Sequence, residues 1–343
     1  MSTEQFVLSG MRATGRLHLG HYFGAVKNWV ELQDRYTCYY FSADWHALTS
    51  DYADPSNVAT YSIEAVADWL AAGLDPDKSV IFVQSLVPEH AELQLLLSML
   101  TPLGWLERVP TYKEQIREVR NKDLSTYGFL GYPVLQTADI LVYRGDFVPV
   151  GEDQASHLEL SREIARRFNG LYGEVFPEPR ALFTPTPKVP GIDGRKMSKS
   201  YDNAINLSDT PEEIRRKCSV MFTDPERLRR KDPGHPENCN LFQFHRLVSS
   251  PETQDRVERE CRLAQIGCVD DKALLADRLI EFLTPIRERR EELLRDRDTL
   301  MDIIVEGSRK ASERAAETME MVRRAISLDY AGVRRERSGL SVS

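Results

Sequence analysis

The sequence predicts an α/β fold, a doubly wound parallel sheet followed by a C-terminal all-helical domain, and three observations carry that expectation. Short runs rich in β-branched and aromatic residues alternate with longer helical patterns from Phe6 to about Arg180. The strand candidates are apolar on both faces, as strands are when helices cover a sheet from either side. From Thr210 onward the pattern is almost entirely helical. Strand and helix in alternation with short links reads as a Rossmann-type sheet.

The elements follow in order. Phe6 to Gly10, Cys38 to Ser42 and Ser79 to Gln84 are the strands; His18 to Gln33, Ser56 to Ala72 and His90 to Leu100 carry 3.6-residue apolar spacing and are the helices between and after them. Leu182 to Pro190 and Gly191 to Gly194 are full of helix breakers. Thr210-Pro-Glu-Glu213 then has the form of a capped helix start. We place the domain boundary near Ile205, giving residues 1–205 to the sheet domain and 206–343 to the helical one.

The chain has 343 residues, 41% hydrophobic and 29% charged, which excludes a disordered or collagen-like polymer. No apolar run reaches the length of a membrane span and the N-terminus lacks the pattern of a secretory signal, so the cytoplasm is expected, with no membrane partner. The net charge of −8 argues against a DNA-binding surface and requires any polyanion site to be a local patch. Five cysteines are too few for a disulfide framework.

Two short motifs carry chemistry. In Thr14-Gly-Arg-Leu-His-Leu-Gly-His21, shortly after the first strand, His18 and His21 stand three apart on one face of a first helical turn, while Gly15 and Gly20 leave room for a ligand at the backbone. Alone, this also fits a helix start with two surface histidines. In Gly194-Arg-Lys-Met-Ser-Lys-Ser200, two lysines at i, i+3 with serines beside them suit phosphate oxygens and the charge that develops in nucleotidyl transfer, although such a loop is also ordinary solvated surface. Neither a Walker lysine loop nor a Gly-x-Gly-x-x-Gly turn is present.

Together these motifs resemble the two signatures of the class I aminoacyl-tRNA synthetases, His18-Leu-Gly-His21 and Lys196 to Ser200. Gly131 to Leu141 and Val148 to Gln154 are similar to the tryptophanyl enzymes of bacteria, and the resemblance runs from Phe6 to about Leu328. It implies a tryptophan–tRNA ligase that forms tryptophanyl-adenylate from ATP, with Mg²⁺ on the phosphates, and passes the aminoacyl group to tRNA(Trp), working as a homodimer. The implied catalytic residues are His18, His21, Lys196 and Lys199. ATP is implied to meet Arg12, Ala13, Thr14, Gly20, His21, Gly151, Glu152, Asp153, Val189 and the loop Lys196, Met197, Ser198, Lys199 and Ser200. Tryptophan is implied to meet Leu8, His46, Tyr132, Gln136, Asp139, Val150 and Gln154, with Asp139 accepting the indole N–H. Arg12-Ala-Thr-Gly15 departs from the Gln-Pro-Ser-Gly of many relatives, and His21 stands where Asn is often found; both keep polar donors.

Cys239, Cys261, Cys268 and Asp271 resemble the four-cysteine pattern of tryptophanyl enzymes with an iron–sulfur cluster, with Asp271 in place of the fourth cysteine. A cluster completed by Asp and three ordinary thiols both fit the sequence. Candidate tRNA contacts are Arg215 to Lys217, Arg227 to Lys231, Arg334 to Arg337 and the stretch from Lys113 to Lys122; the apolar Leu93 to Leu100 segment is the candidate dimer helix. A tyrosyl enzyme, a silent RNA-binding relative and a pantothenate-type ligase are the competing readings.

Overall fold

The computed structural model describes residues 5–118, 122–151, 155–183 and 189–330. Its described strands form one five-stranded sheet in the order β3-β2-β1-β4-β5, from β1 (Phe6–Arg12), β2 (Thr37–Ala43), β3 (Ser79–Val83), β4 (Phe147–Val150) and β5 (Arg180–Phe183). Every pairing is parallel, with Phe6 opposite Thr37, Cys38 opposite Ser79 and Phe147 opposite Arg180. Strand order reverses at β1, where β2 and β4 lie on opposite sides. Such a switch point opens a crevice at the strands' carboxyl ends.

The helices are α1 (Leu19–His21), α2 (Lys27–Leu32), α3 (Asp44–Asp51), α4 (Val58–Ala71), α5 (Glu89–Ser98), α6 (Leu103–Leu106), α7 (Pro110–Glu118), α8 (Tyr127–Leu141) and α9 (Ala155–Tyr172) in the first part of the chain. Then come α10 (Pro211–Ser219), α11 (Asn240–Val248), α12 (Pro251–Arg262), α13 (Cys268–Arg295) and α14 (Arg297–Ala325). The expected helix from His18 to Gln33 is interrupted: a π-helical segment, Tyr22–Val26, joins α1 to α2. At Thr210 the expected cap is present, the hydroxyl accepting from the Glu213 amide while the Glu213 carboxylate accepts from the Thr210 amide.

Alternation along the strands sorts the core. Val7, Cys38, Tyr40 and Ile81 pack on one face with Trp29, Trp69 and the helices around Leu279; Leu8, Tyr39, Phe41 and Phe82 pack on the other with Leu93, Ala138 and Phe168. The first face is shared with α13, where Phe282 stacks on Phe23 at 5.7 Å and Arg290 reaches Asp68 at 2.6 Å and Glu64 at 2.8 Å. The segment after the lysine loop pairs back onto the first motif, with the Leu19 amide donating to the Ile205 carbonyl at 2.9 Å.

Helix α14 straps the edge strand. Leu300 and Ile304 belong to the core on one face of the sheet, and Ala311, Ala315 and Met319 to the core on the other. Between them, Gly307 crosses the strand so closely that a Cβ there would lie 1.9 Å from the Ile81 carbonyl oxygen. Alanine in a helix is ordinarily about 1 kcal/mol better than glycine, but here the overlap is with backbone. Gly307→Ala is therefore expected to lower stability by roughly 1–3 kcal/mol, as overpacking does, read as a lower urea midpoint.

Candidate active site

The carboxyl ends of β1, β2 and β4 open onto a cavity of about 380 Å³. Leu8, His46, Tyr132, Gln136, Asp139 and Val150, six of the residues expected to meet tryptophan, line it, and so does Arg12. Glu152, Asp153 and Gln154 lie outside the described residues. Gln136 and Asp139 come from α8 at one-turn spacing, and Asp139 is only 2% exposed, which excludes a helix-surface carboxylate.

Asp139 is held from three other segments. Its Oδ1 accepts from Gln84 Nε2 at 2.7 Å and His90 Nδ1 at 2.6 Å, and its Oδ2 from His46 Nε2 at 2.8 Å. Burial pushes the carboxyl pKa up, but the hydrogen bonds from His46 and His90 outweigh burial and leave it at about 2. It is an anion at any physiological pH. Gln84, His90 and its neighbour Tyr143 escaped the sequence reading; a lone histidine after a strand looks like core. Thr111 and His157 were missed as well: Thr111 Oγ1 bonds the Tyr132 hydroxyl at 2.8 Å and His157 Nε2 at 2.6 Å, fixing one wall of the cavity.

The two motifs meet at the start of α1. The His18 and His21 rings lie 3.8 Å apart, and the His18 amide donates to His21 Nδ1 at 3.2 Å. That bond puts the proton of neutral His21 on Nε2. The space at Gly20 is taken by the His18 ring itself, whose Cε1 would stand 2.8 Å from an added Cβ, so this glycine serves the histidine's placement rather than leaving open room. Lys199 Nζ donates to the Gly15 carbonyl at 2.8 Å, docking the lysine loop on the first motif, while Met197 is buried in the core and Lys196 is exposed. Asn203 ties the loop down, accepting from the Ser198 amide at 2.8 Å and donating to the Lys196 carbonyl at 3.2 Å. Val189 is buried, its carbonyl accepting from the Met197 amide.

Burial lowers the Lys199 ammonium to about 8. Burial, then the Lys199 charge, lowers His18 to about 4; burial, then the charges of His18 and Lys199, lowers His21 to about 2. Both imidazoles are neutral hydrogen-bonding groups, and the positive charge of the site resides on the lysines.

Among the described residues, no three of the ligand atoms of Cys239, Cys261, Cys268 and Asp271 lie within 4.8 Å of one another. Arg227 Nη1 sits 3.7 Å from Cys261 Sγ and 3.9 Å from Cys268 Sγ, and its Nη2 donates to the Ile266 carbonyl at 2.8 Å, so a guanidinium occupies the space between the sulfurs. Asp271 accepts from His245 Nε2 at 3.1 Å, and burial pushes the Cys261 thiol up to about 11, with the neighbouring Arg227 charge pulling the other way. Among the described residues, the His, Cys, Asp and Glu ligand atoms that do converge are those of Asp224, Glu226 and His235. There Asp224 Oδ2 already accepts from the His235 amide and Nδ1, an internal staple of that loop.

The family model for class I tRNA synthetases of the tryptophan and tyrosine kind matches residues 2–284. The tryptophan–tRNA ligase of Thermotoga maritima is 55% identical over 94% of this chain and 99% of its own length, and that of Aquifex aeolicus 47% identical over 94% and 99%. The solved tryptophanyl-tRNA synthetase of Campylobacter jejuni, a complex with ADP and tryptophan, superposes with a TM-score of 0.88 at 35% identity, covering 94% of this chain and all of that one. The chain belongs to the class I tRNA synthetases of the tryptophan and tyrosine family. Within it, the relatives that match along nearly the whole chain are tryptophan–tRNA ligases.

The two histidines give the site a pH signature. Both pKa values are lowered from 6.5, so as pH falls the unfolded chain takes up protons before the folded one does, and stability is lost from pH 6.5 down to about 4 for His18 and about 2 for His21. An NMR titration is expected to find both rings neutral at pH 5.5, and His18→Gln with His21→Gln to flatten the fall of the urea midpoint over that range.

Proposed function

We propose that this protein is a tryptophan–tRNA ligase: it joins L-tryptophan to AMP using MgATP, releasing pyrophosphate, and transfers the tryptophanyl group to the 3′ end of tRNA(Trp) in the cytoplasm. The observation that carries the reading is a buried, ionised Asp139 at the wall of a cavity whose apolar side is Leu8, Phe41, Phe129 and Val150, beside a docked pair of class I motifs. An apolar slot with one anionic acceptor selects an aromatic side chain that has a donor. Leu8 and Val150 supply apolar surface, and Tyr132 and Gln136 line the slot; Gln154, outside the described residues, is the residue proposed for the α-amino group.

In the first step a tryptophan carboxylate oxygen attacks the α-phosphorus of ATP, and the bond to the bridging oxygen breaks as pyrophosphate leaves. In the second, the terminal ribose hydroxyl of tRNA attacks the aminoacyl carbonyl and AMP departs. Lys196 and Lys199 neutralise the charge that gathers on the phosphates, and neutral His18 and His21 donate hydrogen bonds without adding charge. Arg12, Ala13, Thr14, Gly20, Gly151, Glu152, Asp153, Val189, Met197, Ser198 and Ser200 complete the ATP contacts.

Residues 1–205 are the catalytic unit and 206–343 the anticodon-reading one in this proposal. Lys113 and Arg117 on α7 are the candidate acceptor-end contacts; Arg120, Arg334 and Arg337 lie outside the described residues. Of the other basic positions, Lys217 pairs with Asp209, Arg215 with Asp277 and Arg230 with Asp270, which makes the exposed Arg229 and Lys231 the better phosphate candidates of their run. Leu93 and Leu97 of α5 belong to the core, whereas Leu95, Met99 and Leu103 present exposed apolar surface suited to a homodimer contact. The cysteine set we read as metal-free, with Arg227 as its centre. No helix among the described residues is long and apolar enough to cross a membrane.

Pyrophosphate exchange tested with each amino acid in turn is expected to proceed with tryptophan alone, and exchange with tyrosine instead would overturn the pocket assignment. Lys199→Met is expected to lower kcat by about 10²–10³-fold, the scale of losing one transition-state donor. Protein purified without oxygen is expected to be fully active with no bound iron, zinc or labile sulfide.

A further inference from the structure

Asp139 has more partners than a simple acceptor needs, and their arrangement is informative. A carboxylate offers about four lone-pair positions. Gln84 and His90 fill both positions on Oδ1, and His46 fills one on Oδ2. The partners of Oδ1 are wholly buried behind the cavity wall, whereas His46, the partner of Oδ2, lines the cavity. One acceptor position therefore remains, on the oxygen nearest the cavity.

We propose that His90 is a specificity-determining positioning residue for the amino-acid side chain, holding Asp139 so that a single lone pair of Oδ2 faces the bound indole, with Tyr143 locking the His90 ring. This rests on the reading of Asp139 as the indole acceptor. The proton positions follow from the partners. An ionised carboxylate only accepts, so His90 Nδ1 carries the proton shared with Asp139, while His90 Nε2 and the Tyr143 hydroxyl are hydrogen-bonded at 2.6 Å. Tyr143 is fully buried and burial raises its pKa well above the usual value, so it stays a neutral phenol. The same logic fixes the Gln84 amide with its nitrogen toward Asp139. Tyr143 thereby holds the ring from its far side, and the carboxylate cannot swing its oxygens without breaking three hydrogen bonds. His90 enters from the start of α5 and Gln84 from the turn after β3, so the acceptor on α8 is clamped from separate elements.

The test compares tryptophan with β-(3-benzothienyl)alanine, which has the same shape with sulfur in place of the indole N–H, in pyrophosphate exchange by the full chain. Wild-type protein is expected to prefer tryptophan by roughly a hundredfold or more. His90→Leu is expected to raise the KM for tryptophan about tenfold or more and to shrink the preference by the same factor, with the KM for ATP unchanged, since a bond to a charged group is lost. His90→Asn, whose amide nitrogen stands near the place of Nδ1, is expected to recover most of the preference, and Tyr143→Phe to lose part of it, about threefold. A merely structural role would raise the KM for both amino acids together. Folded His90→Leu and Tyr143→Phe proteins that keep the wild-type preference would overturn the proposal, and if His90→Leu does not fold, Tyr143→Phe decides. A wild-type protein that does not distinguish the two amino acids would instead overturn the reading of Asp139 itself.

Discussion

A parallel sheet that is apolar on both faces has to be covered on both, and most of this molecule's architecture answers that requirement. The face carrying Val7, Tyr40 and Ile81 is closed by α4 and by α13 from the far end of the chain; the face carrying Leu8, Phe41 and Phe82 is closed by α5, α8 and α9. Because α13 takes part, the helical C-terminal part is built into the same core as the sheet. Arg290 shows how firmly: its guanidinium lies between two carboxylates of α4, one of them on the buried Asp68. Of the two sheet edges, the one at β3 is covered by α14, which removes an exposed template for strand pairing there.

That coverage determines where chemistry can occur. With both faces filled, the carboxyl ends of the strands are where the backbone diverges and space opens, and each motif arrives there from a different direction. The histidine pair follows β1, Asp139 comes on α8 and the lysine loop returns after β5. The site divides its electrostatics cleanly, one fixed anion deep in the cavity against lysine charge near the entry motifs, with neutral imidazoles beside the lysine. A zwitterionic substrate with an apolar body and a polyanionic co-substrate suit such a division.

Much of the fold was readable because its signals are local. Runs such as Cys38 to Phe41, apolar or aromatic at every position, have few alternatives to a buried strand, and Thr210 with Glu213 specifies a helix start within four residues. The motif residues were readable for the same reason. What escaped depends on contacts between distant segments: Gln84 and His90 become informative only once Asp139 stands beside them. Cysteine spacing is silent in the same way, because nothing in the interval between Cys239 and Cys268 reveals that Arg227 will come to lie between two of the sulfurs. The π-helical segment has no sequence mark either, since its residues would serve an ordinary helix equally well.

That segment sets the angular phase of the first motif. A π turn accommodates one residue more than an α turn, and one residue is worth about 100° of rotation around a helix. Trp29 on α2 is fixed in the core by its stacking on Tyr40 at 4.7 Å and its edge contact with Trp69. The histidines on the other side of Tyr22–Val26 therefore look outward on a bearing that a regular helix anchored at Trp29 would not give them. A single-residue deletion within that segment would leave every side chain of both motifs in the sequence and yet turn the pair away from the lysine loop.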